Sequence, residues 1–350
     1  MQTKEGKEME HLIDNIISKY MEENYFPSAV CKIFSTEETY YHKAFGNVQA
    51  DTIYDVASLS KIITSTEILM LINDGKISLN GKIIRYLPII NEFKVLSERL
   101  KGVTIEQLLT HNSGLIDWYP FYTEEGTIFK VMNEVIGKYD KFNGTLYSDL
   151  NFMLLAEIIK STAGLSLEES LEKYIKQRLN IKNICYCPSD KSNIAPTSYG
   201  NCIEEKMCME RNVQFGNWRS HDTALTGEVN DGNAHYFFKG VSGHAGIFAD
   251  VNAYADLCRY YMTSSDELIK SSMKEHGEGR GLGWQISESF PMGCGHSGFT
   301  GTSVYICKDI NVAAVTFTNR LHTKGEAKDL FNFRKELHNC ILNILKKERN

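Results

Sequence analysis

The sequence predicts an α+β fold, a multi-layer sandwich. Its antiparallel β-sheet is flanked by N- and C-terminal helices, and a mostly helical lobe is inserted between its strands. Three observations carry this. Strand-like runs rich in β-branched and aromatic residues occur near both ends of the chain and hardly at all in the middle. The middle is dominated by apolar residues at helical spacing, broken by loops. Both ends of the chain carry amphipathic helical patterns that need an apolar surface to cover. At 350 residues the chain is long enough for two lobes around a shared cleft. The expected boundaries place residues 1–75 and 236–350 in the sheet lobe and 76–235 in the helical lobe, with the active site in the cleft between them.

In chain order, Met9, Leu12, Ile13, Ile16, Ile17 and Tyr20 recur at helical spacing and predict a helix over 9–23. "SAVCKIFST" and "ETYYHKAFG" predict two strands joined near Thr36-Glu37-Glu38. A helix is predicted from Ser58 to Asn73, with Leu59, Ile62, Ile63, Leu69 and Ile72 as its apolar positions and Gly75 beyond its end. In the middle, "VTIEQLLTHNSG" and "YSDLNFMLLAEIIKSTAG" are the clearest helices, each running into a glycine. "VSGHAGIFAD" predicts a strand, and "GTSVYICKDINVAAVTFTN" two strands around Lys308-Asp309. The tail, 329–347, predicts an amphipathic helix with Leu330, Phe333, Leu337, Cys340, Ile341 and Ile344 on one stripe.

Composition excludes several classes. An apolar fraction of 42% with 23% charged residues is ordinary for a globular protein. A net charge of -6 argues against a nucleic-acid binder, which would show a basic surplus. No segment approaches the roughly 18 consecutive apolar residues of a membrane span. The charged, amphipathic N-terminus lacks the apolar core of an export signal, so the expected location is cytoplasmic; a trimmed leader would change that. Nine scattered cysteines match neither a disulfide framework nor a zinc site and read as free thiols.

The chemistry starts at "YDVASLSKII", residues 54–63. A serine is a poor nucleophile unless a neighbour takes its proton. In a helix, residues three apart share a face, so Lys61 would sit beside the Ser58 hydroxyl. A lysine accepts a proton only if its pKa is lowered. The spacing alone is weak, because S-x-x-K arises about once or twice by chance in a chain of this size. A second copy occurs at Ser271–Lys274.

The context is stronger. "YDVASLSKIIT" is followed in order by "LLTHNSGL" (108–115), "YSDLNFMLL" (147–155), "GEVNDGNA" and "GVSGHAGIF" (within 227–248), "HSGFTGTSVYI" (296–306) and "FTNRLH" (317–322). This ordered set resembles the serine penicillin-recognising hydrolases, the β-lactamase/transpeptidase-like superfamily. That group takes in class C β-lactamases, low-molecular-weight penicillin-binding proteins, D-aminopeptidases and related esterases. The resemblance covers roughly 25–322. It implies Ser58 as nucleophile, with Lys61 and Tyr147 as the coupled base. It also implies an oxyanion hole from the backbone N–H groups of Ser58 and Phe299. Asp149, His296, Ser297 and Gly298 would contact substrate, Gly298 by letting it approach the backbone closely. His244-Ala245-Gly246 repeats the H-x-G pattern but falls in a segment read as structural, and His111 reads as a buried, hydrogen-bonded residue. Trp118, with Tyr119, Phe121 and Tyr122, would either wall an acyl pocket or pack against the helical lobe.

Three departures shape the expected activity. The second motif ends in Asp149 where asparagine is commonest, and a carboxylate cannot donate the hydrogen bond an amide does. The third begins with His296 where lysine is commonest, so the fixed cation that would face a substrate carboxylate is missing. Asn230 stands where histidine is expected, and no consequence is assigned to it. The expected function is therefore a serine hydrolase of esterase or D-amino-acid-peptidase type. It would act through an acyl-enzyme on a small ester, amide or short peptide, with no metal or organic cofactor called for and β-lactams as candidate ligands. Weak β-lactamase or DD-carboxypeptidase activity, or a penicillin-binding sensor that acylates without turnover, is the alternative.

Overall fold

The computed structural model describes residues 4–347. Helix α1 (Lys4–Glu22) leads into strands β1 (Ala29–Phe34) and β2 (Thr39–Phe45), the short β3 (Tyr54–Asp55) and helix α2 (Ser60–Asn73). Helices α3 (Lys94–Leu100), α4 (Ile105–Leu109), α5 (Ile128–Ile136), α6 (Asp149–Ala163) and α7 (Leu167–Ser170) follow. Then come β4 (Ile184–Tyr186), α8 (Cys202–Glu210), β5 (Ile247–Ala249), α9 (Val251–Thr263) and α10 (Glu267–Ser272). The chain closes with β6 (Cys294–Ser297), β7 (Ser303–Cys307), β8 (Val312–Thr318) and α11 (Phe331–Lys347).

The main sheet is antiparallel throughout, in the order β2-β1-β8-β7-β6. Strands from the two ends of the chain meet at its centre, where Ala29 stands opposite Thr318 and Phe34 opposite Ala313. Side chains of successive strand residues point to opposite faces. Val30, Val304, Val315 and Phe317 therefore join the core that contains α2, α6 and α9, while Cys31, Ile33, Tyr305 and Ala314 face α1 and α11. The predicted terminal stripes supply the second cover: Ile13 and Ile17 from α1, and Phe333, Leu337 and Ile341 from α11, are buried there. β6 is the last strand on its side, met only by a bridge from Gln285 to Gly295 among the described residues.

The α+β fold class expected from the sequence is the one observed, with several local differences. "VSGHAGIFAD" is strand only at Ile247–Ala249, because Gly246 at φ +108° breaks the run just before it. β5 pairs with β3 and β4 in a separate three-stranded sheet, and β4 lies inside the stretch read as mostly helical. Runs of two or three residues carry no readable period. Helix α4 is short because His111, at φ +57°, turns the chain. Helix α2 starts at Ser60, and Ser58 belongs to the 3-10 turn Ala57–Leu59 before it. All nine cysteines are free thiols. Among the described residues, no single helix is long and apolar enough to cross a membrane.

Helix α2 is not amphipathic: every residue from Ser60 to Leu71 is buried. Its threonine hydroxyls are satisfied nearby, Thr64 donating to the Gly243 carbonyl at 2.7 Å and Thr66 to the Ile62 carbonyl at 2.7 Å. Glu67 is an exception. Its Oε1 is buried without a partner among the described residues, and burial pushes its carboxyl up to about 8, the nearby Ser170 hydroxyl opposing. A carboxyl raised in the folded state stabilises fully below its unfolded value, and that contribution is lost as pH rises through about 8. Glu67→Gln keeps the neutral form at every pH. Thermal melts should therefore show the wild type losing ground to the variant between pH 5 and pH 9, by on the order of 3–5 kcal/mol. Parallel pH dependences of the two melting temperatures would show that Glu67 does not ionise in the core.

Candidate active site

Ser58 is placed by a turn welded from both sides. The buried Asp55 carboxylate accepts the Ala57 N–H at 2.9 Å and the Asn230 N–H at 2.7 Å. This holds Ala57 in the left-handed region, φ +47°, which a residue with a side chain seldom adopts. From the other side, the Thr300 hydroxyl donates to the Asp55 carbonyl at 2.7 Å and the Thr302 hydroxyl to the Val56 carbonyl at 2.9 Å. The turn after β6 is thereby fixed against the turn that carries Ser58. Gly298 is required by this weld: a Cβ there would sit 2.1 Å from the Thr302 hydroxyl oxygen and 2.6 Å from the Val56 carbonyl. Sequence reasoning assigned Gly298 to close approach of a substrate, whereas the close approach observed is internal. Asn230, left without a role from sequence, bonds Ser198 through its amide at 2.7 Å and caps Asp55 through its backbone.

Lys61 lies one turn along, completely buried. Its ammonium donates to Ser58 Oγ at 3.0 Å and to the His244 carbonyl at 3.0 Å, and pairs with Asp149 Oδ1 at 2.8 Å. Burial by itself would lower its pKa, but Asp149 first and Tyr147 second outweigh it and hold the amine above its ordinary value. This reverses the expectation that Lys61 needs a lowered pKa. Asp149, assigned from sequence to substrate, is instead engaged by Lys61. The reason is its place in the first turn of α6, which packs against α2.

Tyr147 precedes α6. Its ring lies 5.0 Å from the Lys61 nitrogen, 4.5 Å from the His111 ring and 6.0 Å from the His296 ring, centroid to centroid for the rings. His111 is a buried buttress: its Nδ1 faces the Ser148 N–H at 3.0 Å and the Asn151 amide at 3.2 Å. Burial, with Arg280 and Lys61 adding to it, holds the His111 imidazole far below its usual range. His296, on β6 opposite Val304, is buried too. Burial, Lys61 and Arg280 bring its pKa down to about 3, so it is neutral at ordinary pH.

Ser58, Tyr147, His296, Ser297, Gly298 and Phe299 share one cavity of about 320 Å³. Phe299 is half exposed, and its N–H finds no acceptor among the described residues. Trp118 is not on this wall. It is buried under the Arg211 guanidinium, 5.2 Å from its ring, which in turn pairs with Asp117. Tyr122 likewise packs with Phe215, Trp218 and Tyr236, so the aromatic loop belongs to the packing of the helical region. A second cavity of about 640 Å³ opens on the other side of Phe299, between Ser198–Glu204 and Leu321–Ala327. The Ser271–Lys274 repeat lies away from both; its Ser271 hydroxyl contacts His276, which pairs with Glu106.

Sequence reasoning missed the cations. Arg280, Arg320 and Arg334 line the Ser58 cavity against a single acidic side chain, Asp329. Cations therefore do line this cavity, contributed not by the motif position His296 but by three other segments. Arg280 lies over the Tyr147 ring at 5.2 Å. Its loop is tied down by Glu278, which accepts the Thr145 N–H at 2.8 Å. Arg334, on α11, is 9% exposed and its Nε has no partner among the described residues. Burial and neighbouring Arg320 lower it to about 10, Asp329 opposing, so it stays charged. Arg320 is already committed, donating to the Phe299 carbonyl at 2.7 Å and the Lys328 carbonyl at 3.0 Å. Arg334 was legible as a charge beside Phe333 on the predicted apolar stripe; Arg280 had only the run "GEGRGLGW" around it.

A serine hydroxyl held by an ammonium, beside a tyrosine and in a cavity lined by guanidiniums, can do nucleophilic acyl transfer. Comparison with known proteins agrees with that chemistry. A family profile described as Beta-lactamase matches residues 13–338. The chain is 28% identical over 312 residues to an N-acetylmuramyl-L-alanine amidase of Bacillus subtilis (strain 168), covering 78% of this chain and 69% of that protein. It is 27% identical over 315 residues to a putative D-alanyl-D-alanine carboxypeptidase of Salmonella agona (strain SL483), covering 78% and 70%. Among solved structures, a class C beta lactamase superposes with TM-score 0.74 at 15% identity, covering 98% of this chain and 100% of that one, a likeness of fold.

Proposed function

This chain belongs to the β-lactamase family, and from that premise we propose that it hydrolyses an amide or ester bond in a small, peptide-like substrate that carries a carboxylate. The protein is a serine hydrolase. In this reading Ser58 attacks the carbonyl, the Lys61/Tyr147 pair handles the serine proton, and Ser58 and Phe299 N–H groups receive the oxyanion. Water then releases the acyl group. Substrate lies between the sheet-bearing segments, 1–75 and 236–350, and the helical segment, 76–235.

The observation that carries the substrate class is the pair Arg280 and Arg334. Two guanidiniums without hydrogen bonds of their own among the described residues line the Ser58 cavity, one of them nine-tenths buried. A buried unpaired cation is costly, and a carboxylate accepting from it would offset that cost in the complex. The named activities of the two relatives, an amidase and a carboxypeptidase, fit an amide substrate with an acidic end.

The test compares an acylated D-alanyl-D-alanine peptide with its C-terminal amide. The free carboxylate should raise kcat/KM by about 10–100-fold. Arg334→Ala should remove most of that preference while leaving the amide little changed. Equal rates on the two peptides, or an undiminished preference in Arg334→Ala, would mean the arginines do not read a carboxylate.

A further inference from the structure

Asp149 is one of the three positions where this chain departs from the residue commonest in the proteins it resembles, and its ion pair with Lys61 points to a role for the departure. Resting on the reading of Ser58 as the acylated residue, we propose that Asp149 is a positioning residue. Its carboxylate fixes Lys61 as a permanent ammonium, so that the Ser58 proton passes to the Tyr147 oxygen and Lys61 keeps its own.

The geometry of Lys61 supports this directly. An ammonium has three N–H donors and no acceptor. Lys61 has three partners: Ser58 Oγ at 3.0 Å, the His244 carbonyl at 3.0 Å and Asp149 Oδ1 at 2.8 Å. Two of these can only accept while Asp149 is ionised. A neutral amine could meet the same three partners only by turning its lone pair to accept the Ser58 O–H; the buried ion pair with Asp149 at 2.8 Å favours the ammonium over that arrangement. Asp149 is itself held: it begins α6, where the unpaired N–H groups of the first turn favour a negative charge.

The surroundings reinforce the same charge. Asp149, Asp231 and His244 bring ligand-type atoms within 4.8 Å of one another, a cluster suited to a cation, and Lys61 is the cation bonded to it. Asp231 pairs with His244 Nε2 at 2.9 Å. Burial pushes the Asp231 carboxyl up, but His244, the Ala234 N–H and Lys61 outweigh it and keep it ionised. The other groups facing Lys61 are Tyr147 ahead of α6, His111, His296 on β6 and Arg280; the two imidazoles are held neutral by burial. Acylation then balances simply. The Ser58 oxygen bonds to the carbonyl carbon and its proton moves to Tyr147 in the phenolate form. Tyr147 passes that proton to the departing amine or alcohol as the C–N or C–O bond breaks. Lys61 contributes charge throughout and no proton.

Removing one carboxylate beside the Lys61/Tyr147 pair makes both groups lose protons more readily. The bell-shaped pH profile of kcat/KM should therefore move to lower pH in Asp149→Asn, by about one to three units. Measured on an uncharged ester such as p-nitrophenyl acetate, the shift should come with little change in KM. Asp149→Glu should restore the wild-type profile. A superimposable Asp149→Asn profile, or a rise in KM without a shift, would overturn the proposal. Nitrogen-15 NMR of lysine-labelled wild type gives a measurement free of folding defects in the variants. A Lys61 ammonium signal persisting at pH 10 supports the proposal, and a neutral amine at pH 8 refutes it. This readout needs no turnover. A protein with charged Lys61 but no Ser58-dependent ester cleavage would retain the counter-ion and lose the acyl-transfer reading.

Discussion

Ser58→Ala is expected to abolish turnover, with kcat/KM falling on the order of 10⁴-fold or more. The same change should remove covalent labelling by a fluorophosphonate or a β-lactam, read as the mass of the intact protein. The size of the effect follows from the chemistry: with no side-chain oxygen there is no acyl-enzyme, and only binding and oxyanion stabilisation are left. The fold should be unaffected. Asp55, Thr300 and Thr302 grip the turn through the backbone of residues 55–57, and none of these bonds involves the Ser58 side chain. Lys61 would lose one of its three partners and keep the other two. Undiminished labelling of the variant would move the nucleophile elsewhere. A stoichiometric burst from the wild type with no turnover after it would make the protein an acylated sensor instead of a hydrolase.

The residues that the proposed reaction uses were legible in the sequence as short contiguous patterns. Ser58, Lys61, Tyr147 and His296 each sit in a short local motif, and the order of the motifs along the chain carried the fold class with them. The terminal helices were legible for a related reason: α1 and α11 cover one face of the sheet, and such a face demands a periodic stripe. Helix α2 was placed, but its complete burial was not legible. Thr64, Thr66 and Glu67 fall between its five apolar positions, and only the packed neighbours reveal that they are buried. Convergence was illegible. Arg280, Arg320 and Arg334 lie on three separate segments, only Arg320 within one of the quoted motifs, and their meeting in one cavity is a property of tertiary structure. The same holds for Asp149 and Lys61. Both residues were singled out, yet the ion pair between them depends on how α6 docks on α2. That pair changes the reading of Asp149 from a weakened substrate contact to a counter-ion. The arginines turn the expected preference away from plain esters toward anionic, peptide-like substrates.

Tyr147→Phe should lower kcat/KM on an amide substrate by about 10²–10⁴-fold, the range expected for losing a positioned proton-transfer group. The substitution is a clean test because the ring does the packing. The ring packs beside the His111 ring at 4.5 Å and the Arg280 guanidinium at 5.2 Å, and the substitution keeps both while removing only the hydroxyl and its interaction with Lys61. Melting temperature and KM should stay close to wild type. The loss should also depend on the leaving group. An amine must be protonated as it departs, so an amide suffers twice, once when Ser58 gives up its proton and once when the C–N bond breaks. A nitrophenolate leaves without a proton, so a p-nitrophenyl ester should suffer only at the first step and lose less. A larger loss on the amide than on the ester places Tyr147 in both proton transfers. Equal losses on the two substrates would confine it to the attack of Ser58. Activity on the amide within a few-fold of wild type would return the base role to Lys61, in conflict with an ammonium whose three protons are already engaged.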